Sequence, residues 1–180
     1  LAVPPEPEVG LAAVPASPPT RRSSRRTWVL VAASVASSMV ALDLLVVTTA
    51  LDTIRTDLAA SASALQWTVT AYSVSFAALM TGAALGDRFG RRRMLVAGML
   101  IFAVGSAAAA LSGSVDQLIA ARVVQGVGGA LILPLSLTVV TGAFPPERRA
   151  AAIGALEGIT GLAVAAGPVL GGVIAEQLTW

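Results

Sequence analysis

The apolar positions of this chain fall into five long runs: Trp28–Leu51, Leu65–Leu85, Met94–Leu111, Val115–Ala143 and Arg149–Ala175. Each is close to, or beyond, the roughly twenty residues that a helix needs to cross hydrocarbon at about 1.5 Å per residue. The polar breaks between them are short, at Asp52–Ala64, Gly86–Arg93, Ser112–Ser114 and Phe144–Arg148. Strands of an outer-membrane barrel would instead alternate over segments of about ten residues. The pattern predicts an all-α integral membrane protein, a polytopic bundle of about five transmembrane helices. Residues 1–27 carry Pro4, Pro5, Pro7, Pro15, Pro18 and Pro19 without a helical period and are predicted to be a disordered tail. The run after Arg25 and Arg26 is too long for a secretory signal core, which predicts an uncleaved first span.

Composition agrees with that class. Charged residues make up 12% of the chain and mean hydropathy is +0.80, whereas a soluble domain carries about a quarter charged residues. Lysine, histidine and cysteine are absent, which excludes disulfides, thiol chemistry and the usual zinc sites. No catalytic cluster is visible, and neither a metal nor an organic cofactor is expected. The pI near 10.4 does not imply nucleic acid, because the arginines sit beside apolar runs instead of along a soluble face. They follow the positive-inside pattern. Arg21, Arg22, Arg25 and Arg26, then Arg88, Arg91, Arg92 and Arg93, then Arg148 and Arg149 fall on one side if five spans alternate. Only Arg55 falls on the other, so the amino terminus and the Asp87 loop are predicted to be cytoplasmic.

Three ionisable residues lie inside the runs, and each must face a partner or a cavity. Asp43 is about 12 Å, and Arg122 about 10 Å, from the same outer boundary by the helical rise. At a shared depth they are a candidate ion pair. The pair either fixes packing or responds to protons, since protonating Asp43 would free Arg122. Glu157 is a second candidate proton or cation site, or a hydrogen-bond partner for a neighbouring helix. Gly154 and Gly158, and Gly167 and Gly171, have the four-residue spacing that lays small residues on one face, and Pro168 invites a kink. In the fourth run the glycines after Arg122 leave room beside it.

Four motifs in this order resemble the major facilitator superfamily, most closely its fourteen-helix drug–proton antiporter branch. Leu85-Gly86-Asp87-Arg88-Phe89-Gly90-Arg91-Arg92 is similar to the signature loop between its second and third helices. Arg122-Val123-Val124-Gln125-Gly126 resembles the fourth-helix motif. Gly154 with Gly167-Pro168-Val169-Leu170-Gly171-Gly172 resembles the fifth-helix antiporter motif. Leu42-Asp43 with Val46, Val47, Ala50, Leu51 and Ile54 is similar to the first-helix motif of the drug branch. Ala83, Ala163, Thr48 and Asp52 depart from the usual Gly, Gly, Asn and Pro.

The resemblance covers about residues 28–180 and implies the first five helices of an amino-terminal half. It implies proton-coupled efflux of small amphiphilic molecules across a bacterial cytoplasmic membrane, energised by a proton gradient. Asp43 and Arg122, with Glu157, would carry or sense the proton. Gly86, Asp87, Arg88, Gly90, Arg91 and Arg92 would latch the cytoplasmic side against a second half. The family continues beyond the fifth helix, so the chain is expected to be an amino-terminal fragment unable to transport alone. The rival readings are a nutrient uniporter or symporter of the same superfamily and a non-transporting membrane sensor or assembly module.

Overall fold

A computed structural model describes residues 20–78 and 82–177, with side chains from 24 to 167 except at 46, 49, 50, 52, 82 and 83. All the elements among them are helices: α1 (Thr20–Asp57), α2 (Ala62–Ala78), α3 (Gly82–Phe89), α4 (Arg91–Ala110), α5 (Val115–Ala143) and α6 (Pro146–Gln177). Four stretches are long and apolar enough to cross a membrane: Ser24–Leu45, Arg91–Ala110, Val115–Ala143 and Pro146–Gly167. The remaining run, Leu65–Leu85, is met by α2 and α3 on either side of residues 79–81, which lie outside the described residues.

Several boundaries differ from the sequence expectation, among them the start of α6 at Pro146, inside the predicted connection Phe144–Arg148. The proline pattern assigns residues 20–27 to the disordered tail, but they form the first two turns of α1. Arginine is a good helix former, and no proline follows Pro19 before the apolar run begins. Residues 1–19 lie outside the described residues. At its other end α1 runs to Asp57, so the connection to α2 is shorter than Asp52–Ala64. Its closure uses Ala59 at φ 48°, with the Leu58 and Ala60 N–H groups donating to Ile54 and Arg55 carbonyls at 3.0 and 3.1 Å.

A further difference is the arginine-rich connection, expected as a loop over Gly86–Arg93. It is helical through Phe89 and helical again from Arg91, so the turn is Gly90 alone. Gly90 has φ 96°, a conformation that strains any residue with a Cβ. The Gly90 N–H donates to the Gly86 carbonyl at 2.9 Å, and the Met94 N–H to the Gly90 carbonyl at 3.0 Å. Gly90→Ala is expected to destabilise the protein by about 1–2 kcal/mol, measured as a lower melting temperature in detergent.

The connection expected at Ser112–Ser114 begins one residue earlier, at Leu111, and ends at Ser114 as expected, where a local hydrogen-bond exchange starts α5. The Gln117 N–H donates to Ser114 Oγ at 3.4 Å, while Gln117 Oε1 accepts from the Gly113 N–H at 2.9 Å. This is close to a capping box, satisfying two backbone donors that the helix itself leaves open. Pro146 opens α6 at a position where its missing N–H has no helical partner to lose.

Helix α5 is the centre of the bundle. It packs along α4 and α2, and less extensively along α1, α3 and α6, while α6 leans mainly on α1. The main core joins Ala36 and Val40 of α1, Tyr72 of α2, Leu95 and Phe102 of α4 and Leu131, Ile132 and Leu135 of α5. A second cluster, Ala33, Val140, Ala152 and Leu156, ties α1 and α5 to α6. On α4 the residues Val96, Leu100 and Val104 recur every turn and are all more than half exposed. Such an apolar stripe on the outside is what a helix presents to lipid.

Candidate functional site

Asp43 on α1 and Arg122 on α5 meet. Arg122 Nη1 donates to Asp43 Oδ2 at 2.5 Å, and the arginine side chain is 1% exposed against 13% for the aspartate. Gln125, one turn along α5, closes a triangle. Its Nε2 donates to Asp43 Oδ1 at 2.8 Å, and its Oε1 accepts from Arg122 Nη1 at 2.9 Å. From α2, the Thr68 carbonyl accepts from Arg122 Nε at 3.4 Å, and the guanidinium carbon stands 4.5 Å from the Tyr72 ring centroid. Three helices thus surround one buried cation with a carboxylate, two carbonyl-type oxygens and an aromatic face. Both carboxylate oxygens are used, so no net charge is stranded in the apolar interior.

The local sequence explains how the groups converge. Arg122 and Gln125 are three apart on a helix and share a face. Thr68 and Tyr72 are four apart and share a face of α2 in the same way. The two faces come together because Gly126 has no side chain. A Cβ there would lie 2.6 Å from the Tyr72 carbonyl oxygen and 3.2 Å from the Phe76 amide nitrogen. The room left at Gly126 is therefore taken by the backbone of α2, and the room left at Gly128 by the backbone of α4. Tyr72 stacks on Phe76 with centroids 6.1 Å apart. Beside them is a cavity of about 200 Å³ lined by Val40, Leu44, Tyr72, Ser73, Phe76 and Leu133. Sequence reasoning does not single out Thr68 or Tyr72. The available signal is that Tyr72 is the chain's sole tyrosine, in a predicted span where a hydroxyl needs a reason.

The other predicted site residues are placed apart from this network. Glu157 is exposed on α6 and makes no ion pair or hydrogen bond among the described residues. Gly154 and Gly158 are expected to serve close packing, yet a Cβ added at either would meet nothing within 4 Å, and the same is true of Gly161. Gly167 does approach α1, where a Cβ would sit 2.8 Å from Leu45 Cδ1. What surrounds Pro168, Gly171 and Gly172 lies outside the described residues, although their backbone belongs to α6.

At the arginine-rich end, Asp87 and Arg91 pair across the Gly90 turn. Arg91 Nε donates to Asp87 Oδ1 at 2.8 Å, with both side chains about half exposed or more. Gly86 is buried against Leu135 of α5, with no space for a Cβ. Arg88 lies over the Phe89 ring at 5.5 Å, and Arg92 turns toward α1 and α5.

A bundle of apolar helices with a buried charge network between α1 and α5 defines a polytopic membrane protein. Residues 10–180 match the family model of the Major Facilitator Superfamily, and the chain belongs to that family. It is 42% identical over 157 residues to the tetracenomycin C resistance and export protein of Streptomyces glaucescens, covering 86% of this chain and 29% of that protein. It is 38% identical over 165 residues to the cephamycin export protein CmcT of Amycolatopsis lactamdurans, covering 89% and 34%. It is 34% identical over 158 residues to the riboflavin transporter RibZ of Clostridioides difficile, covering 87% and 35%. The chain spans about a third of the length of these relatives.

Proposed function

We propose that this chain supplies the proton-responsive part of an efflux transporter that exports small amphiphilic molecules across the bacterial cytoplasmic membrane in exchange for protons. The observation that carries this reading is the Asp43–Arg122–Gln125 network. Arg122 is fully enclosed, and among the described residues Asp43 is the one carboxylate bonded to it. Protonating Asp43 removes the charge that holds Arg122 on α1, leaving the guanidinium with Gln125 and the Thr68 carbonyl on α5 and α2. Loss of one ion pair between helices is the local event that a two-state rearrangement needs. In this reading the arginine-rich end faces the cytoplasm, in keeping with the positive-inside pattern. The Asp87–Arg91 pair then sits at the inner surface as a latch element. The names of the two export relatives support drug or antibiotic export as the direction of transport.

The test is Asp43→Asn in the protein as its cell makes it, followed by drug uptake into everted vesicles, the equivalent of export from the cell, across a pH series. The amide keeps hydrogen bonds to Arg122 but has no proton to exchange, so export is expected to lose its pH dependence. An unchanged pH profile would sink the assignment. The likeness to a riboflavin transporter favours nutrient transport as a second reading. Substrate that accumulates inside intact cells when the outside is acidified would support that reading against antiport.

A further inference from the structure

The arginines on one end of the bundle do more than mark a side. Arg25 and Arg26 of α1 and Arg92 of α4 line a single cavity of about 370 Å³, together with Val29 of α1 and Gly142 and Ala143 of α5. α1 and α4 each pack along α5 but make little direct contact with one another, so the cavity is the cleft between them with α5 as its floor. No carboxylate lines it among the described residues, and none of the three arginines is in an ion pair there. Asp87, the nearest acid in sequence to Arg92, is occupied by Arg91. Gly142 keeps the floor open, since a Cβ there would meet nothing within 4 Å.

We propose that this cleft is a binding site for a phosphate-bearing anion, and that the anion is the headgroup of an acidic phospholipid. Three arginines that line one cleft from two helices suit a phosphodiester, which accepts hydrogen bonds in the forked geometry that arginine offers. The first turn of α4, which has no side-chain cap at Gly90, adds positive field at the same end. The C-terminal turn of α5 on the floor opposes this weakly, and three full charges outweigh it. Two observations favour a lipid over a soluble phosphate. The cleft passes from its arginine rim to apolar Val29, and a neighbouring cavity that shares Arg92, Gly142 and Ala143 continues to Val139, one turn deeper on α5. Trp28, next to Val29 in α1, is 70% exposed, which suits an indole at headgroup depth. A phospholipid with its phosphate on Arg25, Arg26 and Arg92 and its glycerol and upper chain along Val29 and Val139 would tie together α1 and α4, which make little direct contact of their own.

The experiment uses the protein as its cell makes it, in nanodiscs containing phosphatidylcholine with a minor share of phosphatidylglycerol, and counts retained lipids by native mass spectrometry. One phosphatidylglycerol is expected to be retained in preference to phosphatidylcholine. Arg92→Gln should weaken that retention about fivefold, the equivalent of ~1 kcal/mol for one arginine near an anionic surface, and Arg92→Lys should weaken it less. Gly142→Leu keeps every charge, suits a helix and fills the cleft, so it should abolish the retention while leaving the melting temperature in pure phosphatidylcholine unchanged. Arg93→Gln, at a position that does not line the cavity, should have no effect. Equal loss in Arg92→Gln and Arg93→Gln would overturn the proposal in favour of diffuse surface attraction, and so would retention that survives Gly142→Leu. A melting temperature raised by millimolar inorganic phosphate in pure phosphatidylcholine, and lost in Gly142→Leu, would overturn the lipid assignment and give the site to soluble phosphate.

Discussion

Asp43→Leu is expected to destabilise the reconstituted protein by about 3–5 kcal/mol, because it leaves the Arg122 guanidinium buried without its counter-charge. Arg122 is 1% exposed and cannot reach water while α2 and α5 stay packed. The remaining oxygens, from Gln125 and the Thr68 carbonyl, are dipoles and neutralise nothing. Adding Arg122→Leu should recover most of the loss, since a buried ion pair replaced by apolar groups is often close to neutral. The recovery should stop about 1–3 kcal/mol short, because Gln125 then loses both of its partners while still buried. A further Gln125→Leu should close that gap. Thermal unfolding of the single, double and triple variants in one lipid composition measures the series. If the loss in the double variant equals the sum of the losses in Asp43→Leu and Arg122→Leu taken singly, the two side chains are not energetically coupled and the pair is a coincidence of packing.

The second large effect is expected at Gly128→Val. Gly128 faces α4, where a Cβ would lie 2.6 Å from the Phe102 amide nitrogen and 2.8 Å from the Gly98 carbonyl oxygen. Both are backbone atoms, so no rotamer change relieves the contact, and the helices have to move apart along their most extensive interface. Overpacking of this kind is expected to destabilise by about 3 kcal/mol, at the upper end of the usual range. The displacement also propagates, because Gly126 two residues away holds α5 against α2 at the Arg122 site. A cross-link yield between cysteines introduced at Leu95 and Leu131, which share the core, should fall in the variant. Unchanged yield and melting temperature would show that α4 and α5 do not depend on this approach.

Much of the site's composition is legible in the residues alone, and the reason is the expense of charge in hydrocarbon. An aspartate and an arginine inside apolar runs have to be neutralised, and counting residues at a fixed helical rise places them at one depth. Depth says nothing of azimuth, so neither their meeting nor the participation of Thr68 and Tyr72 can be read. Those depend on how α2 rotates against α5, which is decided by where two backbones can approach, at Gly126. Small-residue spacing is ambiguous for the same reason. Gly126, Gly128 and Gly129 of α5 are used by neighbours on two sides, and Gly167 by α1, while Gly154, Gly158 and Gly161 share the same kind of spacing and a Cβ at any of them would meet nothing within 4 Å among the described residues. A GxxxG pattern states that a close approach is permitted; a partner must exist to make it.

The helix ends divide similarly. Ser114 and Gln117 form a local exchange, and the helix they open begins at Val115, where the sequence predicts it. The break at Gly90 is predicted as an eight-residue loop, Gly86–Arg93, yet one glycine at positive φ suffices. The Asp87–Arg91 pair and the Gly86 and Gly90 carbonyls keep the helices going on either side.

By itself, then, the sequence determined the solvent, the helical class and which residues could not be left alone, because hydropathy and charge are additive along a chain and need no partner to be costly. Which arginine paired with a carboxylate, which stacked on a ring and which three were left to line an open cleft was decided only by the tertiary structure. Those outcomes depend on the relative rotation of helices that are distant in sequence.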